Sequence, residues 1–393
     1  MREPALASHA SRIDGIDQLR AWAMLAVVTQ HCGLLPMGWT GVWLFYVISG
    51  YVITAGILRR TPQGGGFGAQ YWAFMAMRLS RIVPALLGYL LLCGLALALA
   101  GQAAAFWQHA PAVGAFVFNW WMIFAPEGGL PVPSPLGHLW TISVEQQFYL
   151  LFPLLALGLP ERWRVPACWA LVVLGPVARA LTSAAYQAAD PGGEHAFAIY
   201  ASTHGHVDAF AAGALIAYHR GLGNWHANQA ARRCAWVGAA LLGLYVAYYG
   251  WVNLSQGAQG LQAWRNLVSG ILWGQGREVW VYGPVVMLCA ALVIWQSGAG
   301  ASAAASPWGR ALAWTGRMSY SGYLVHTLVI WALRPLWGAP ASLRDLPPLS
   351  WALFYAAVLA GTLLLGHGLA VLVERPGQRW LRARLMPAAN RPA

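Results

Sequence analysis

The residues best able to do chemistry in this sequence stand in apolar surroundings, where an ionisable group costs at least a few kcal/mol. His31 lies in AWAMLAVVTQHC and Glu145 in LWTISVEQQFYLLFPLL. A carboxylate beside an imidazole can orient it and stabilise its protonated form, the arrangement of a general base with its orienting partner. Arg20 precedes His31 by eleven residues. At 100° per residue that is three helical turns plus about 20°, so the two side chains share a face roughly 16 Å apart. Arg78 and Arg81, in MRLSRIVPALL, have the i, i+3 spacing that puts both guanidinium groups on one helix face. Planar forked donors suit phosphates, whether of a nucleotide-type cofactor or of lipid headgroups.

A second tier of candidates lies nearer a substrate side. These are Ser143 and Tyr149 beside Glu145, His204 and Asp208 at i, i+4, and Tyr323 with His326. His204, His206 and Asp208 could mimic metal ligands, but no second cluster of comparable quality accompanies them and no metal is expected. Ser49 lacks a Gly-x-Ser-x-Gly setting and is a poor nucleophile. Each charged group also has a plain structural reading. Arg20 would anchor the orientation of a first span, His31 would bond a neighbouring carbonyl, and Glu145 would tie helices through Ser, Gln or Tyr. Lipid contact is the reading of Arg78 and Arg81 that composition alone favours.

The elements that must carry these groups follow from composition. Of 393 residues, 59% are hydrophobic and 9% charged, against roughly a quarter charged in soluble domains. That excludes a soluble globular protein, and it excludes a disordered one, which needs low hydrophobicity and dense charge. Apolar runs of about 20 residues match a hydrocarbon core of roughly 30 Å. The expected fold is all-α, a polytopic membrane helix bundle.

Ten spans are expected, near 20–36, 39–58, 82–100, 138–159, 164–182, 204–219, 234–252, 279–296, 318–335 and 350–373. Segments 112–124 and 259–275 read as interfacial helices. Three parts result: a cytoplasmic segment 1–19, a membrane domain 20–374 and a cytoplasmic Arg-rich tail 375–393. The first run has no signal-peptide character and reads as a retained anchor. All 24 basic residues are Arg, giving a net charge of +12. With both ends inside, 19 of them fall on the inner side; only Arg179, Arg265, Arg277, Arg334 and Arg344 fall outside, the positive-inside pattern. No basic stripe with interleaved aromatics suggests nucleic acid. The five cysteines form no CxxC or His/Cys metal spacing and read as small buried residues. In this topology His31, five residues below Pro36, and Glu145, seven below the start of the fourth span, lie at similar depths of roughly 8 and 10 Å.

These patterns, taken in order, resemble the integral membrane acyltransferase 3 family, whose members O-acylate sugars and related hydroxyl compounds. Arg20 and His31 resemble its Arg-x10-His pattern, preceded by IDQL. GVWLFYVISGYVI resembles its Gly-Val-x-x-Phe-Phe-x-x-Ser-Gly stretch, RLSRIVPALL its Arg-x-x-Arg-x-x-Pro segment, and WTISVEQQFYLLFPLL its Trp-x-Leu-Ser-Val-Glu-Glu-Gln-Phe-Tyr. HVDAFAAGALIAY, GRMSYSGYLVH and VERP fit the final third, so the likeness runs over 13–376. Departures are Gln18 and Ala21 for glycines, Trp43 for a polar residue and Gln146 for a second Glu. The extracytoplasmic hydrolase-like domain that many relatives carry is not expected here.

The resemblance implies transfer of an acyl group, usually acetyl, from cytoplasmic acyl-CoA to a hydroxyl of a carbohydrate or similar polyhydroxyl acceptor. It implies His31 as the catalytic His and Arg20, Arg78 and Arg81 as donor-side residues. His31, oriented by Glu145, would take the acceptor proton, with an acyl-His intermediate as a variant. The expected partners are membrane lipid, the acyl-CoA donor and the acceptor, in a bacterial inner membrane. A transporter or flippase of a glycolipid or small organic acid is the alternative use of the same polar groups, and a non-catalytic membrane scaffold the third.

Overall fold

A computed structural model describes residues 14–60, 66–124, 134–189, 196–221, 225–268, 271, 274–298, 306–340 and 342–386. Arg2, Arg12 and Arg391, placed inside by the charge count, lie outside those residues. Every regular element among the described residues is helical. In chain order they are α1 (Asp14–His31), α2 (Thr40–Arg60), α3 (Phe67–Leu99), α4 (Ala103–Gly114), α5 (Phe118–Phe124), α6 (Trp140–Gly158), α7 (Glu161–Ala189) and α8 (Ala196–Ala201). There follow α9 (Val207–Gly221), α10 (Ala227–Ser255), α11 (Arg277–Trp280), α12 (Tyr282–Gly298), α13 (Pro307–Arg317), α14 (Ser319–Leu333), α15 (Pro348–Leu369) and α16 (Arg375–Leu385). The expected spans correspond to α1, α2, α3, α6, α7, α9, α10, α12, α14 and α15.

The molecule is an all-α membrane bundle in which an outer ring of long apolar helices surrounds shorter buried ones. Among the described residues six stretches are long and apolar enough to cross a membrane: α2, α3, α7, α10, α11 with α12, and α15 through α16. Those of α7, α10 and α15 are only 17, 22 and 28% buried. They turn Leu174, Leu244 and Leu364 outward, as side chains facing lipid tails would be. The shorter α1, α6, α9 and α14, of 18, 19, 15 and 15 residues, are packed within, where neighbouring helices can satisfy polar groups that lipid cannot.

Close helix crossings hold this interior together. A Cβ on Gly50 would collide with the Phe210 carbonyl, and one on Gly213 with the Val47 carbonyl. The backbones of α2 and α9 therefore touch, as small residues allow in membranes. Gly213→Val is expected to destabilise by about 1–3 kcal/mol through overpacking. Gly68→Val, with open space around it, is the control. Thermal unfolding of the two variants in detergent checks this, and equal midpoints would count against the crossing.

Four segments differ from expectation. α1 begins at Asp14 and ends at His31 rather than near Pro36. Gly33 takes φ +81°. The Leu34 amide bonds the Thr29 carbonyl at 3.1 Å and the Gly33 amide bonds that of Gln30 at 2.7 Å. This is a Schellman stop, so His31 is the last residue of its helix. α3 starts at Phe67, fifteen residues before the expected span, so Arg78 and Arg81 stand within a continuous helix about 50 Å long instead of at its base. The expected interfacial helix 112–124 is broken at Phe116, with φ +57°; its second half is held inside, Asn119 Nδ2 donating to the Ala201 carbonyl at 3.1 Å. Among its described residues, segment 259–275 holds a short 3-10 turn, Gly260–Trp264, and its Val268 carbonyl accepts from Trp39 Nε1 at 3.0 Å.

At the end of the chain, α15 runs through a π segment, Ala370–Glu374, into α16. This rod lies antiparallel along α3: Gly88 faces Leu369 and Val373, and Gly377 faces Pro84. All five cysteines are free, four of them buried and Cys234 half-buried.

Candidate active site

A cavity of about 730 Å³, counting its open mouth, lies among α1, α2, α3, α6 and α14. The fold brings Arg20, Arg78, Arg81, Glu145 and Tyr149 to its wall, as five side chains from three helices. Arg20 contacts Asp17 Oδ1 at 3.4 Å. Arg78 lies over the rings of Phe74 and Tyr149, at 5.5 and 5.7 Å from their centroids. Glu145 Oε1 accepts from Ser49 Oγ at 2.5 Å and from the Tyr149 hydroxyl; Tyr149 also approaches Ser49 Oγ at 3.2 Å. Three guanidinium groups against two carboxylates, Glu145 in the wall and Asp17 beside Arg20, leave a cavity suited to an anionic guest.

At its far end the cavity is closed by Tyr323, Thr141 and Phe45. The Tyr323 hydroxyl and Thr141 Oγ1 are 2.7 Å apart. Both hydroxyls also reach the His138 carbonyl, Thr141 Oγ1 at 2.9 Å and the Tyr323 hydroxyl at 3.3 Å.

Behind Tyr323 stands a cluster of three imidazoles. Its ring centroid is 5.2 Å from that of His138 and 5.3 Å from that of His326, and His138 and His326 are 4.8 Å apart. His326 Nε2 lies 3.1 Å from His31 Nδ1. The hydrogen bonds fix the tautomers. His326 Nδ1 is 2.5 Å from the Tyr323 carbonyl, which can only accept, so Nδ1 carries the proton. Neutral His326 then accepts at Nε2 from His31 Nδ1–H, which leaves the lone pair of His31 on Nε2. Thr327 Oγ1 donates to the Pro135 carbonyl at 2.8 Å and lies 2.9 Å from His138 Nδ1. His138 therefore donates there, and its buried Nε2 has no hydrogen-bond partner among the described residues. His138 and His326 are buried, whereas His31 is exposed.

This corrects the expected pairing of His31 with Glu145. The partner of His31 is His326; Glu145 is taken up by Ser49 and Tyr149. Glu145 follows His138 by seven residues on α6 and its lead-in turn, about 10 Å along the axis. The depths do not match because α1 stops at Gly33. The sequence reading missed His138, whose only signal was a His one residue before a Trp-led apolar helix, and it undervalued Ser49.

The remaining candidates are placed elsewhere. Ser143 Oγ accepts from the Phe118 amide at 3.1 Å, fixing the start of α5. His204 sits in a 3-10 turn before α9, its Nε2 2.8 Å from Thr182 Oγ1. Asp208 Oδ2 is 2.7 Å from Nη2 of Arg179, an ion pair with both side chains buried, so Arg179 is not an outer-surface residue. Among the described residues no group of three His, Cys, Asp or Glu side chains is arranged to hold a metal ion.

Comparison with known proteins bears on what this arrangement serves. The model of a family described as an acyltransferase domain matches residues 13–367. YrhL of Bacillus subtilis, by its name a candidate peptidoglycan O-acetyltransferase, is 32% identical over 179 residues, 42% of this chain and 28% of that protein. OatA of Staphylococcus aureus, an O-acetyltransferase, is 34% identical over 169 residues, 39% of this chain and 26% of that protein. The match to each covers little more than a quarter of that relative's length. No solved structure matches. Running from the start of α1 almost to the end of α15, the family match takes in the Arg-lined cavity and all three histidines, and the chain belongs to this acyltransferase family.

Proposed function

We propose that the protein is an integral membrane O-acyltransferase that moves an acyl group, acetyl first among them, from acyl-CoA to a hydroxyl of a carbohydrate or similar polyhydroxyl acceptor. The observation that carries this reading is the His31–His326 bond, which leaves His31 Nε2 as an exposed base nitrogen one aromatic ring away from an Arg-lined cavity. The family match supports the reaction class. The name of one relative makes a cell-wall sugar the first acceptor to test.

In this mechanism the cytoplasmic donor enters at the Arg20 end, its phosphates held by Arg20, Arg78 and Arg81. Its pantetheine arm runs along Tyr149 and Tyr320 to Tyr323, whose ring must give way for the thioester to reach His31. The acceptor approaches exposed His31 from the other side. His31 Nε2 takes the hydroxyl proton, the oxygen attacks the thioester carbonyl, the carbon–sulfur bond breaks, and the thiolate leaves with the proton. His326, as acceptor of Nδ1–H, steadies the imidazolium between these steps. Glu145 offsets the guanidinium charge and holds Ser49 and Tyr149 in the wall. A bacterial inner membrane meets the need for donor on one face and envelope sugar on the other.

The test is incubation of the full chain in lipid nanodiscs with acetyl-labelled acetyl-CoA and a panel of cell-wall glycan fragments. The expected result is label in a glycan and CoA released in step with it. Movement of an intact solute with no CoA release would overturn the reading in favour of a transporter.

A further inference from the structure

We propose that α16 is part of the donor site, with Arg382 completing a clamp of four guanidinium groups, beside Arg20, Arg78 and Arg81, for the phosphates of a nucleotide-bearing thioester. The inference rests on the acyl-CoA reading above. It concerns a helix beyond residue 367, where the family match ends.

The register of α16 on α3 carries it. Gly88 faces Leu369 and Val373, and four residues back along α3 Pro84 faces Gly377. Continuing the same antiparallel steps brings the Arg382 turn of α16 to the Arg78–Arg81 turn of α3. The guanidinium charges of Arg81 and Arg382 act on one another, and Arg81 acts likewise on Arg20. Arg382 Nε is buried without a hydrogen-bond partner among the described residues. The nearby carboxylate, Glu374, is taken up by Ser321 Oγ at 2.5 Å. The π turn just before α16 adds a residue, which rotates all that follows by about 100° and so decides which Arg meets α3. Exposed Arg379 and Arg384 point elsewhere, Arg384 lying 5.5 Å from the centroid of the Trp380 ring. Asp17 meets Arg20 at 3.4 Å and Glu145 shares the wall, yet half-buried cations in excess over acids are unfavourable alone and favourable once a polyanion arrives.

Phosphate is the shared chemistry of a CoA-type donor and of an anionic lipid headgroup, and two arms separate them. In nanodiscs of zwitterionic lipid, Arg382→Gln is expected to raise KM for acetyl-CoA about tenfold at unchanged kcat, the loss of one charge-assisted contact. S-acetylpantetheine, which lacks the phosphates, should serve Arg382→Gln and the unaltered protein equally, Arg382→Lys should recover part of the loss, and Arg384→Gln should lose nothing. An equal loss with both donors, or a loss seen only when anionic lipid is present, overturns the clamp. Tight use of acetyl-CoA that ignores Arg382 overturns the clamp alone. Failure of the unaltered protein to bind or use acetyl-CoA overturns the donor reading and the clamp with it.

Discussion

His31→Ala is expected to reduce acyl transfer at least about a hundredfold, the low end of what a positioned general base contributes, while the protein still inserts and folds. The side chain is exposed and terminates α1, so removing it opens no cavity in the core. Its side chain bonds His326, which keeps its own bond to the Tyr323 carbonyl, and the Val27 carbonyl one turn back. His326→Leu should act differently. It removes the imidazole acceptor of His31 Nδ1–H and leaves the Val27 carbonyl beside the ring, so a fraction of His31 carries its proton on Nε2 and cannot act as base; a loss of about tenfold follows from that change of tautomer. Initial rates of label transfer at saturating donor, with elution profile and thermal midpoint measured on the same samples, decide the matter. A folded His31→Ala protein that keeps more than about a tenth of its activity is incompatible with a base in this position.

What the sequence made legible was whatever depends on one helix at a time. Arg20 and His31 share a face of α1 because their spacing alone requires it. Arg78 and Arg81 likewise both reach the cavity. The all-α membrane bundle follows from composition. The pairing of His31 was not legible, because two facts outside any single periodicity decide it. Gly33, rather than Pro36, ends α1, since a left-handed residue closes the helix two residues after His31. The approach of α14 to α1 then supplies His326 from 295 residues away. His204 and Asp208 fail in the same way: the i, i+4 reading assumes one helix, but α9 begins only at Val207. His204 therefore belongs to a turn, and Asp208 faces α7.

That last displacement has a large expected consequence for folding. Asp208 takes Nη1 and Nη2 of Arg179 at 3.2 and 2.7 Å and also accepts from the Ala209 amide at 2.9 Å. Arg179 also donates to the Gly205 carbonyl and lies 5.1 Å from the centroid of the Tyr282 ring. Gly175 lies so close that a Cβ there would come within 2.6 Å of Asp208 Cγ. The pair thus fastens α7 to the start of α9 with little room to relax. Asp208→Asn leaves a buried guanidinium without its counter-charge, a loss of about 3–5 kcal/mol, which is much of the roughly 5–15 kcal/mol that typically holds a protein folded. Loss of folded protein, not a raised KM in a well-folded one, is the expected result, read as thermal midpoint and yield of monodisperse protein. Arg179→Met should do comparable harm by stranding the carboxylate. Arg179→Met combined with Asp208→Asn should recover part of the stability, because no lone charge remains and the two effects are coupled. An Asp208→Asn protein that unfolds at the normal temperature but loses acceptor affinity would instead give Asp208 to the substrate, as its place in the sequence first suggested.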